Sequence, residues 1–311
     1  MKKCLVTGGA GFIGSHLCKT LLEDGHEVVC FDNFSTGSKE NVNFNNKKFT
    51  LEFGNVNTSD LDEVFKKHKF NWVFHHAAVV GVKRTDENPI EVLNDINGIQ
   101  NILELCRKNN VDKALFASSS EVYGEPLEIP EVEDGVLNPH IPYAVVKLLG
   151  EKYFEEYYKT YGLKTCSLRF FNVYGSRQDS SDYGFVTGMF IQKVLNNEEP
   201  IIFGDGTQTR DFVYIKDNIR ATIKAMETDK TNGQAINIGN GKSITILDLA
   251  NTIIRLTGKD NLKSTFKPSR LDIKHRCPEV TKMKELIGYT PKYSLDEGLK
   301  DTIEYYKTKQ E

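Results

Sequence analysis

The sequence lacks long hydrophobic runs, paired cysteines and an excess of positive charge. No apolar run approaches the ~20 residues that a membrane-spanning helix needs. The net charge of −3 argues against the broad positive field that attracts nucleic acid or anionic membranes. The first residues, MKKCLVTGG, enter a predicted strand at once, so we expect no signal peptide. These absences predict a protein with no nucleic-acid or membrane partner.

Cysteine usage fits a reducing compartment. None of the six cysteines forms a CxxC pair, and most lie in apolar runs, which predicts buried, reduced thiols. No cluster of histidine, cysteine and carboxylate residues suggests a metal site. We therefore expect a cytoplasmic protein that needs no metal.

Short apolar runs alternate with longer amphipathic segments in the first half of the chain. The runs are rich in Val, Leu and Phe, which is typical of parallel strands buried on both faces. The predicted strands are 3–7, 27–31, 49–53, 71–77, 113–118 and 165–171. The predicted helices are 12–24, 59–68, 89–109 and 143–160. This alternation predicts an α/β fold with a Rossmann-type, doubly wound parallel sheet.

After about residue 175 the pattern becomes mixed. The predicted elements there are a helix at 184–196, strands at 201–203, 210–215 and 235–239, and a helix from Asp217. Capping-box spacings predict two further helices, one at Thr245 with Asp248 and one at Ser294 with Glu297. We expect a smaller mixed α/β domain over 176–311, packed closely on a first domain over 1–175. Strands near 210–240 are expected to return to the first domain.

The stretch TGGAGFIGSHL places Gly8, Gly11 and Gly14 directly after a predicted strand and at the head of a predicted helix. Such glycines permit a tight turn and close approach of the backbone to a pyrophosphate, which then faces the helix N-terminus. Asp32 ends the second predicted strand, where a carboxylate can bind the adenosine ribose and would repel a 2′-phosphate. The first domain is therefore predicted to bind NAD rather than NADP.

The stretch IPYAVVKLLGE places Tyr143 and Lys147 four residues apart near the start of a predicted helix, so both project from one face. An ammonium beside a phenol lowers the pKa of the phenol. This predicts a tyrosine that can act as a general base near neutral pH. The spacing alone is common on helix surfaces. Together with the glycine loop and the serines of ASSSEVYGE it indicates an active site.

With these residues in view, the chain resembles the extended short-chain dehydrogenase/reductases, specifically the NAD-dependent nucleotide-sugar epimerase/dehydratase family. The similarity runs through GGAGFIGSHL, FDNFSTG, HHAAVVGVKRTDENP, SSSEVYG, YAVVK, LRFFNVYGSRQD, GDGTQTRDFVYIKD and INIGNGKSITILDL. It implies that Tyr143 takes the proton of a sugar hydroxyl, that Ser119 bonds the same oxygen and that Lys147 bonds the nicotinamide ribose. It also implies that NAD stays bound through turnover, and a homodimer packed through 89–109 and 143–160.

The resemblance also implies a set of cofactor contacts. These residues are Gly8, Gly11, Phe12, Ile13, Gly14, Asp32, Asn33, Asn55, Val56, Ala77, Ala78 and Lys147. The chain departs from the family at two of the relevant places. Asn55 stands where the family usually has Asp near the adenine, although an amide can still bond the adenine edge. Asp95 stands where Asn is common. A separate feature is the second histidine after His75, and we interpret this residue, His76, as a packed strand residue rather than a catalyst.

Substrate contacts follow from the resemblance at five positions, Ser119 included. Asn172 and Arg210 match positions that hold the nucleotide diphosphate, and an arginine suits bidentate phosphate recognition. Arg84 matches a position near the sugar, with a solvated charge at a helix start as an equal alternative. Arg276, in HRCPEV, stands where decarboxylating relatives carry an arginine.

Glu121 leaves the type of reaction open. Members that only epimerise at C4 commonly have small residues here, whereas those that decarboxylate a uronic acid or eliminate water keep a glutamate. If the segment stays extended, Ser119 and Glu121 share a face, and Glu121 can remove the C5 proton once C4 is a ketone. The alternative is an acid bonded to backbone or to an arginine.

These features together predict an NAD-dependent nucleotide-sugar 4-epimerase, with a UDP-linked hexose or N-acetylhexosamine as substrate. NAD takes the C4 hydride and returns it to the other face of a 4-keto sugar. The alternatives within the fold are a UDP-glucuronate decarboxylase or a 4,6-dehydratase that uses Glu121. A non-catalytic NAD-binding regulator and a simple alcohol dehydrogenase remain as alternatives of other classes.

Overall fold

In the first half of the chain, strands and helices alternate as predicted. The computed structural model describes residues 1–181, 184–269 and 273–309. The strands of this half are β1 (Lys3–Thr7), β2 (Glu27–Asp32), β3 (Phe49–Phe53), β4 (Trp72–His75), β5 (Lys113–Ser119) and β6 (Thr165–Phe170). The helices are α1 (Phe12–Glu23), α2 (Asp60–Lys67), α3 (Val82–Glu87), α4 (Pro89–Lys108) and α5 (Pro142–Tyr161). Among these strands and α-helices, the short α3 was not predicted.

The later part carries shorter elements. Its strands are β7 (Asn172–Tyr174), β8 (Ile201–Phe203), β9 (Thr209–Arg210), β10 (Phe212–Tyr214), β11 (Gln234–Ile238), β12 (Ile244–Thr245) and β13 (Thr265–Lys267). Its helices are α6 (Val186–Leu195), α7 (Ile215–Glu227), α8 (Ile246–Thr257) and α9 (Leu295–Thr308). The strand predicted over 210–215 is divided, since β9 pairs with β12 whereas β10 pairs with β7.

A seven-stranded parallel sheet lies at the centre, in the order β11-β6-β5-β4-β1-β2-β3. The chain winds from β1 out to β3 and then returns to β4 on the other side of β1. In doubly wound sheets, ligands bind outside the carboxyl ends of the strands at such a switch in direction. The carboxyl ends of β1, β4 and β5 therefore mark the place for a site. The fold is the Rossmann-type α/β architecture that the sequence predicts.

Helices cover both faces of this sheet. On one face α1 and α7 pack over a core that includes Phe74 and Ile219. On the other face α2, α4 and α5 pack over a core that includes Val73 and Phe154. The alternation of Val73 and Phe74 follows from the period of two along a strand.

Smaller predictions about the chain are also met. Thr245 Oγ1 accepts the backbone N–H of Asp248 at 2.9 Å, and Ser294 forms a reciprocal capping box with Glu297. All six cysteines are free thiols, and all but Cys277 are buried. In the described part of the chain, no helix is long and apolar enough to cross a membrane.

Candidate active site

The glycine loop joins β1 to α1 at the carboxyl edge of the sheet. A Cβ on Gly8, whose φ is +66°, would lie 2.7 Å from the backbone nitrogen of Ala77, and one on Gly14 would lie 2.2 Å from the Gly8 oxygen. Neither position accommodates a side chain. A Cβ on Gly11 would meet only the Gly8 oxygen, at 3.3 Å. The first-turn N–H groups of a helix have no intrahelical partner, so the open space over Gly11 fits a pyrophosphate.

The end of β2 holds the glycine loop in place. Asp32 is buried, and its Oδ2 accepts the backbone N–H of Ala10 at 2.9 Å while its Oδ1 accepts that of Phe34 at 2.7 Å. The carboxylate thus stands at the position predicted for ribose binding and also fixes the loop. Asn33 beside it is exposed.

The remaining predicted cofactor residues lie along the same edge. They are Phe12 and Ile13 in the first turn of α1, Asn55 and Val56 after β3, and Ala77 and Ala78 after β4. The backbone N–H of Ala77 donates to Thr7 Oγ1 at 3.3 Å, which ties the end of β4 to β1. The residues present therefore fit a dinucleotide at this edge. Their individual contacts stay predictions.

Ser119, Tyr143 and Lys147 meet where β5 ends and α5 begins. Ser119 is the last residue of β5, and its hydroxyl group acts to lower the pKa of the Tyr143 phenol. Lys147 Nζ lies 5.5 Å from the centre of the Tyr143 ring and donates to the Ala117 carbonyl at 2.7 Å. The three predicted catalytic side chains therefore form one contiguous group.

The electrostatics of Tyr143 differ from the prediction. Burial raises the pKa of Tyr143 well above its usual value, and the hydrogen bond with Ser119 only partly offsets this. Burial lowers the pKa of Lys147 to about 8, while Asp95 acts to raise it. The Lys147 ammonium is directed at the Ala117 carbonyl rather than at the phenol oxygen. The prediction of a lowered pKa for Tyr143 is therefore wrong, because desolvation outweighs the interaction with Ser119.

Glu121 does not continue the strand. Residues Ser120–Tyr123 form a 3₁₀ turn, and Ser119 caps it by accepting the Glu121 N–H at 3.2 Å. The expectation that Ser119 and Glu121 share one face of an extended segment is therefore wrong. Glu121 Oε1 instead accepts from Arg276 Nη1 at 2.6 Å, with side chains that are 37% and 2% exposed. This geometry matches the alternative of an acid bonded to an arginine.

Arg276 is a buried cation that joins distant segments of the chain. Its Nη1 also donates to Ser120 Oγ at 2.9 Å, and its Nη2 donates to the Gly124 carbonyl at 3.2 Å. Its Nε lies 3.6 Å from Oε1 of Glu131. Burial raises the pKa of Glu131 to about 7, and Arg276 acts to lower it. Sequence reasoning missed Glu131, because no local pattern links it to the C-terminal part of the chain.

A second missed group lies behind Lys147. Glu151, one turn further along α5, accepts two hydrogen bonds from Arg169, at 3.0 and 2.8 Å, and one from Ser118 Oγ at 2.5 Å. This buried ion pair ties α5 to β5 and β6. A signal was available in the sequence, since an arginine inside the apolar run TCSLRFF needs a buried partner.

The pairing of β7 with β10 places Asn172 opposite Phe212, two residues after Arg210. Asn172 Nδ2 donates to the Asp211 carbonyl at 3.4 Å, and Arg210 is largely buried. The charge of Arg210 acts to lower the pKa of Glu131, so Arg210 lies near the carboxyl group of Glu131. Contacts of Asn172 and Arg210 with a nucleotide diphosphate stay predictions.

Arg84 bridges two loops at the same edge. Its Nη1 donates to the Val80 carbonyl at 2.7 Å, and its Nη2 lies 3.7 Å from Oδ2 of Asp179. These contacts connect the loop after β4 with the loop after β7. The predicted role of Arg84 at the sugar stays a prediction.

Asp95 and His76 are two further titratable groups near Lys147. Asp95 Oδ2 accepts the backbone N–H of Val79 at 2.8 Å, and burial raises the pKa of Asp95 to about 6. The His76 ring stacks on Phe170 with the ring centres 6.0 Å apart. Burial lowers the pKa of His76 to about 3, so the imidazole is neutral, in agreement with a packing role. Among the described residues, no group of His, Cys, Asp and Glu is arranged to hold a metal ion.

Comparisons with known proteins agree on one family. The model of the NAD-dependent epimerase/dehydratase family matches residues 4–239. A putative UDP-glucose 4-epimerase of Methanocaldococcus jannaschii is 40% identical over 306 residues, which cover 97% of this chain and 98% of that protein. A UDP-N-acetyl-α-D-glucosaminuronate decarboxylase of Bacillus cytotoxicus is 36% identical, with 98% of each chain covered. The crystal structure of a UDP-glucose 4-epimerase of Thermotoga maritima with UDP-glucose matches with a TM-score of 0.94 and 37% identity, over 99% of this chain and 100% of that one.

Proposed function

The chain belongs to the NAD-dependent epimerase/dehydratase family, and we propose that it inverts C4 of a UDP-linked hexose or N-acetylhexosamine. NAD is its cofactor. The observation that carries the proposal is the contiguous group of Ser119, Tyr143 and Lys147, at the sheet edge that also holds the glycine loop. The similar proteins of M. jannaschii and T. maritima support UDP-glucose as a substrate.

Each of the three side chains has its own role in the transfer of the O4 proton of the sugar. Tyr143 takes the O4 proton, and Ser119 holds the same oxygen through its hydroxyl group. Because burial raises the pKa of Tyr143, the phenol needs a positive charge nearby when it acts as a base, and the Lys147 ammonium provides one. When bound, NAD supplies the acceptor and donor of the C4 hydride. The 4-keto sugar then turns so that its other face receives the hydride, and Tyr143 returns the proton to O4.

A lyase reaction is the second candidate, and the observation that favours it is the position of Arg276 beside Glu121. An arginine can bind the C6 carboxylate of a uronic acid, and the B. cytotoxicus relative is a decarboxylase. In this chain, however, two carboxylates already face the Arg276 guanidinium. Glu121 is therefore engaged as an ion-pair partner, and epimerisation is the reaction that the geometry supports best.

Replacement of Glu121 tests whether this residue is an ion-pair partner of Arg276 or a catalytic base. A Glu121→Gln variant keeps an oxygen that can accept from Arg276, so we expect C4 inversion of UDP-glucose within about threefold of the wild-type rate. Coupled assays and NMR of the product measure it. Glu125→Gln, at an exposed position in the same segment, is the matched control. Loss of C4 inversion in Glu121→Gln alone would place Glu121 in the catalytic machinery. A wild-type product that has lost water or carbon dioxide would favour the lyase.

A homodimer through α4 and α5 is part of the proposal. These helices pack against each other, and their outer faces carry exposed apolar side chains. The side chains are Ile90, Leu93, Val145 and Leu149. Light scattering on the purified protein tests it, and a monomer at micromolar concentration would contradict it.

A further inference from the structure

The carboxylates of Glu121 and Glu131 both face the guanidinium of Arg276, close to the end of β5. Arg276 is 1% exposed and Glu131 is 3% exposed, whereas Glu121 is half-buried. We refer to Arg276, Glu121 and Glu131 as the Arg276 cluster. Its members come from the turn after β5, the loop that follows this turn and the C-terminal part of the chain.

Glu131 is fixed to the segment that carries Arg276. Its Oε2 accepts the backbone N–H of Cys277 at 2.7 Å. Its own N–H donates to the Cys277 carbonyl at 2.8 Å, and its carbonyl accepts from the backbone N–H of Glu279 at 2.9 Å. The Glu131 carboxylate therefore cannot move away from Arg276 without breaking this pairing of the two segments.

The Glu131 carboxylate and the Arg276 guanidinium also attract each other electrostatically. Oε1 of Glu131 and Nε of Arg276 are both buried without a hydrogen-bond partner, and they face each other at 3.6 Å. Opposite charges at such a distance attract more strongly in a protein interior than in water. Glu131 is therefore a second counter-charge for Arg276, in addition to Glu121.

This arrangement bears on the charge that a sugar meets at C6. Glu121 and Ser120, which both bond Arg276, directly follow Ser119. If Ser119 holds O4, the substituent at C5 lies close to this turn. A C6 hydroxyl group is neutral, whereas a C6 carboxylate is repelled by a group of one cation and two carboxylates, whose net charge is negative.

We propose that Glu131 is a specificity-determining residue that acts through Arg276. Together with Glu121 it gives the Arg276 cluster a net negative charge, so that UDP-hexoses are preferred to UDP-uronic acids. The inference rests on the proposed function for the position of the sugar. It assigns a substrate class, sugars with an uncharged C6, to the same site.

Protonation of Glu131 has the same effect as its removal. The groups that face its carboxyl are Arg276, Glu121, Arg210 and the backbone N–H of Cys277. Since the pKa of Glu131 is raised to about 7, the carboxyl becomes neutral as pH falls through this value. UDP-uronates stay ionised there, so their affinity relative to UDP-hexoses should increase below pH 7 and reach a minimum above it.

The test compares the dissociation constants of UDP-glucuronate and UDP-glucose, measured by calorimetry on the NAD-loaded protein. At pH 8 we expect Glu131→Gln to shift the ratio toward UDP-glucuronate about tenfold. Glu133→Gln is the matched control, because Glu133 is also buried but accepts from the backbone N–H of Asn237 at 2.9 Å. The control should leave the ratio unchanged. In the wild-type protein the ratio should move the same way between pH 8 and pH 6, and Glu131→Gln should abolish this pH dependence.

An unchanged ratio in Glu131→Gln, or an equal shift in Glu133→Gln, overturns the proposal. If Glu131→Gln does not fold, a pH-independent ratio in the wild-type protein overturns it in the same way. Failure of the proposed function shows separately, as absence of turnover on UDP-glucose, because the ratio of affinities requires no turnover.

Discussion

The glycine loop and the Arg276 cluster are built in different ways. The loop comes from one contiguous stretch, Gly8 to Gly14, and is held by Asp32 at the end of the next strand. The cluster joins Arg276 to Glu121 and Glu131, which lie in a different part of the chain. The predicted cofactor site is thus encoded in a local sequence pattern, whereas the proposed discrimination among sugars depends on contacts that exist only in the folded chain.

The largest effect is expected from Tyr143→Phe, which should reduce kcat without weakening NAD binding. Tyr143→Phe removes the base but keeps the buried ring, so we expect kcat for UDP-glucose to fall about 10²- to 10⁴-fold while NAD stays bound. Tyr153→Phe, on the same helix, loses only a hydrogen bond from Gln100 and should keep its activity. Turnover assays and the absorbance of bound dinucleotide measure both. Near-full turnover in Tyr143→Phe would remove Tyr143 from the mechanism.

The next effect concerns the buried ion pair of Glu151 and Arg169, which contacts Ser118 and the Glu133 carbonyl beside the Arg276 cluster. Glu151→Gln leaves the buried Arg169 guanidinium without its counter-charge, and we expect the free energy of unfolding to fall by about 3–5 kcal/mol. Urea titration measures the change. On the same helix, Glu155→Gln removes an ion pair with Lys159 at the surface and should cost at most about 1 kcal/mol. Equal losses in the two variants would show that the buried pair is not a major support.

The smallest effect is expected in the glycine loop, where two alanine variants separate a role in stability from a role in NAD binding. Gly14→Ala forces a methyl group against the Gly8 carbonyl, so we expect a loss of stability of about 1–3 kcal/mol. Gly11→Ala meets little of the protein and should change stability by at most about 0.5 kcal/mol, but it should weaken NAD binding. Thermal melts with and without NAD distinguish the two. The same loss of stability in both variants would mean that Gly11 serves the fold rather than the cofactor.

The sequence predicts the parallel sheet well because buried parallel strands are continuous apolar runs. It also predicts the meeting of Tyr143 and Lys147, since a spacing of four is a property of the helix alone. The 3₁₀ turn after Ser119 escaped prediction, because ASSSEVYGE has no feature that distinguishes a turn from a continued strand. The raised pKa of Tyr143 was missed for another reason, since burial depends on packing from the whole chain.

Product analysis tests the central claim most directly. UDP-glucose and other UDP sugars are incubated with the wild-type enzyme, and the products are examined by mass spectrometry and proton NMR. We predict an unchanged mass and a C4 proton whose coupling shows the inverted configuration. A product that has lost water or carbon dioxide would contradict it and would make Glu121 the residue to examine as a base.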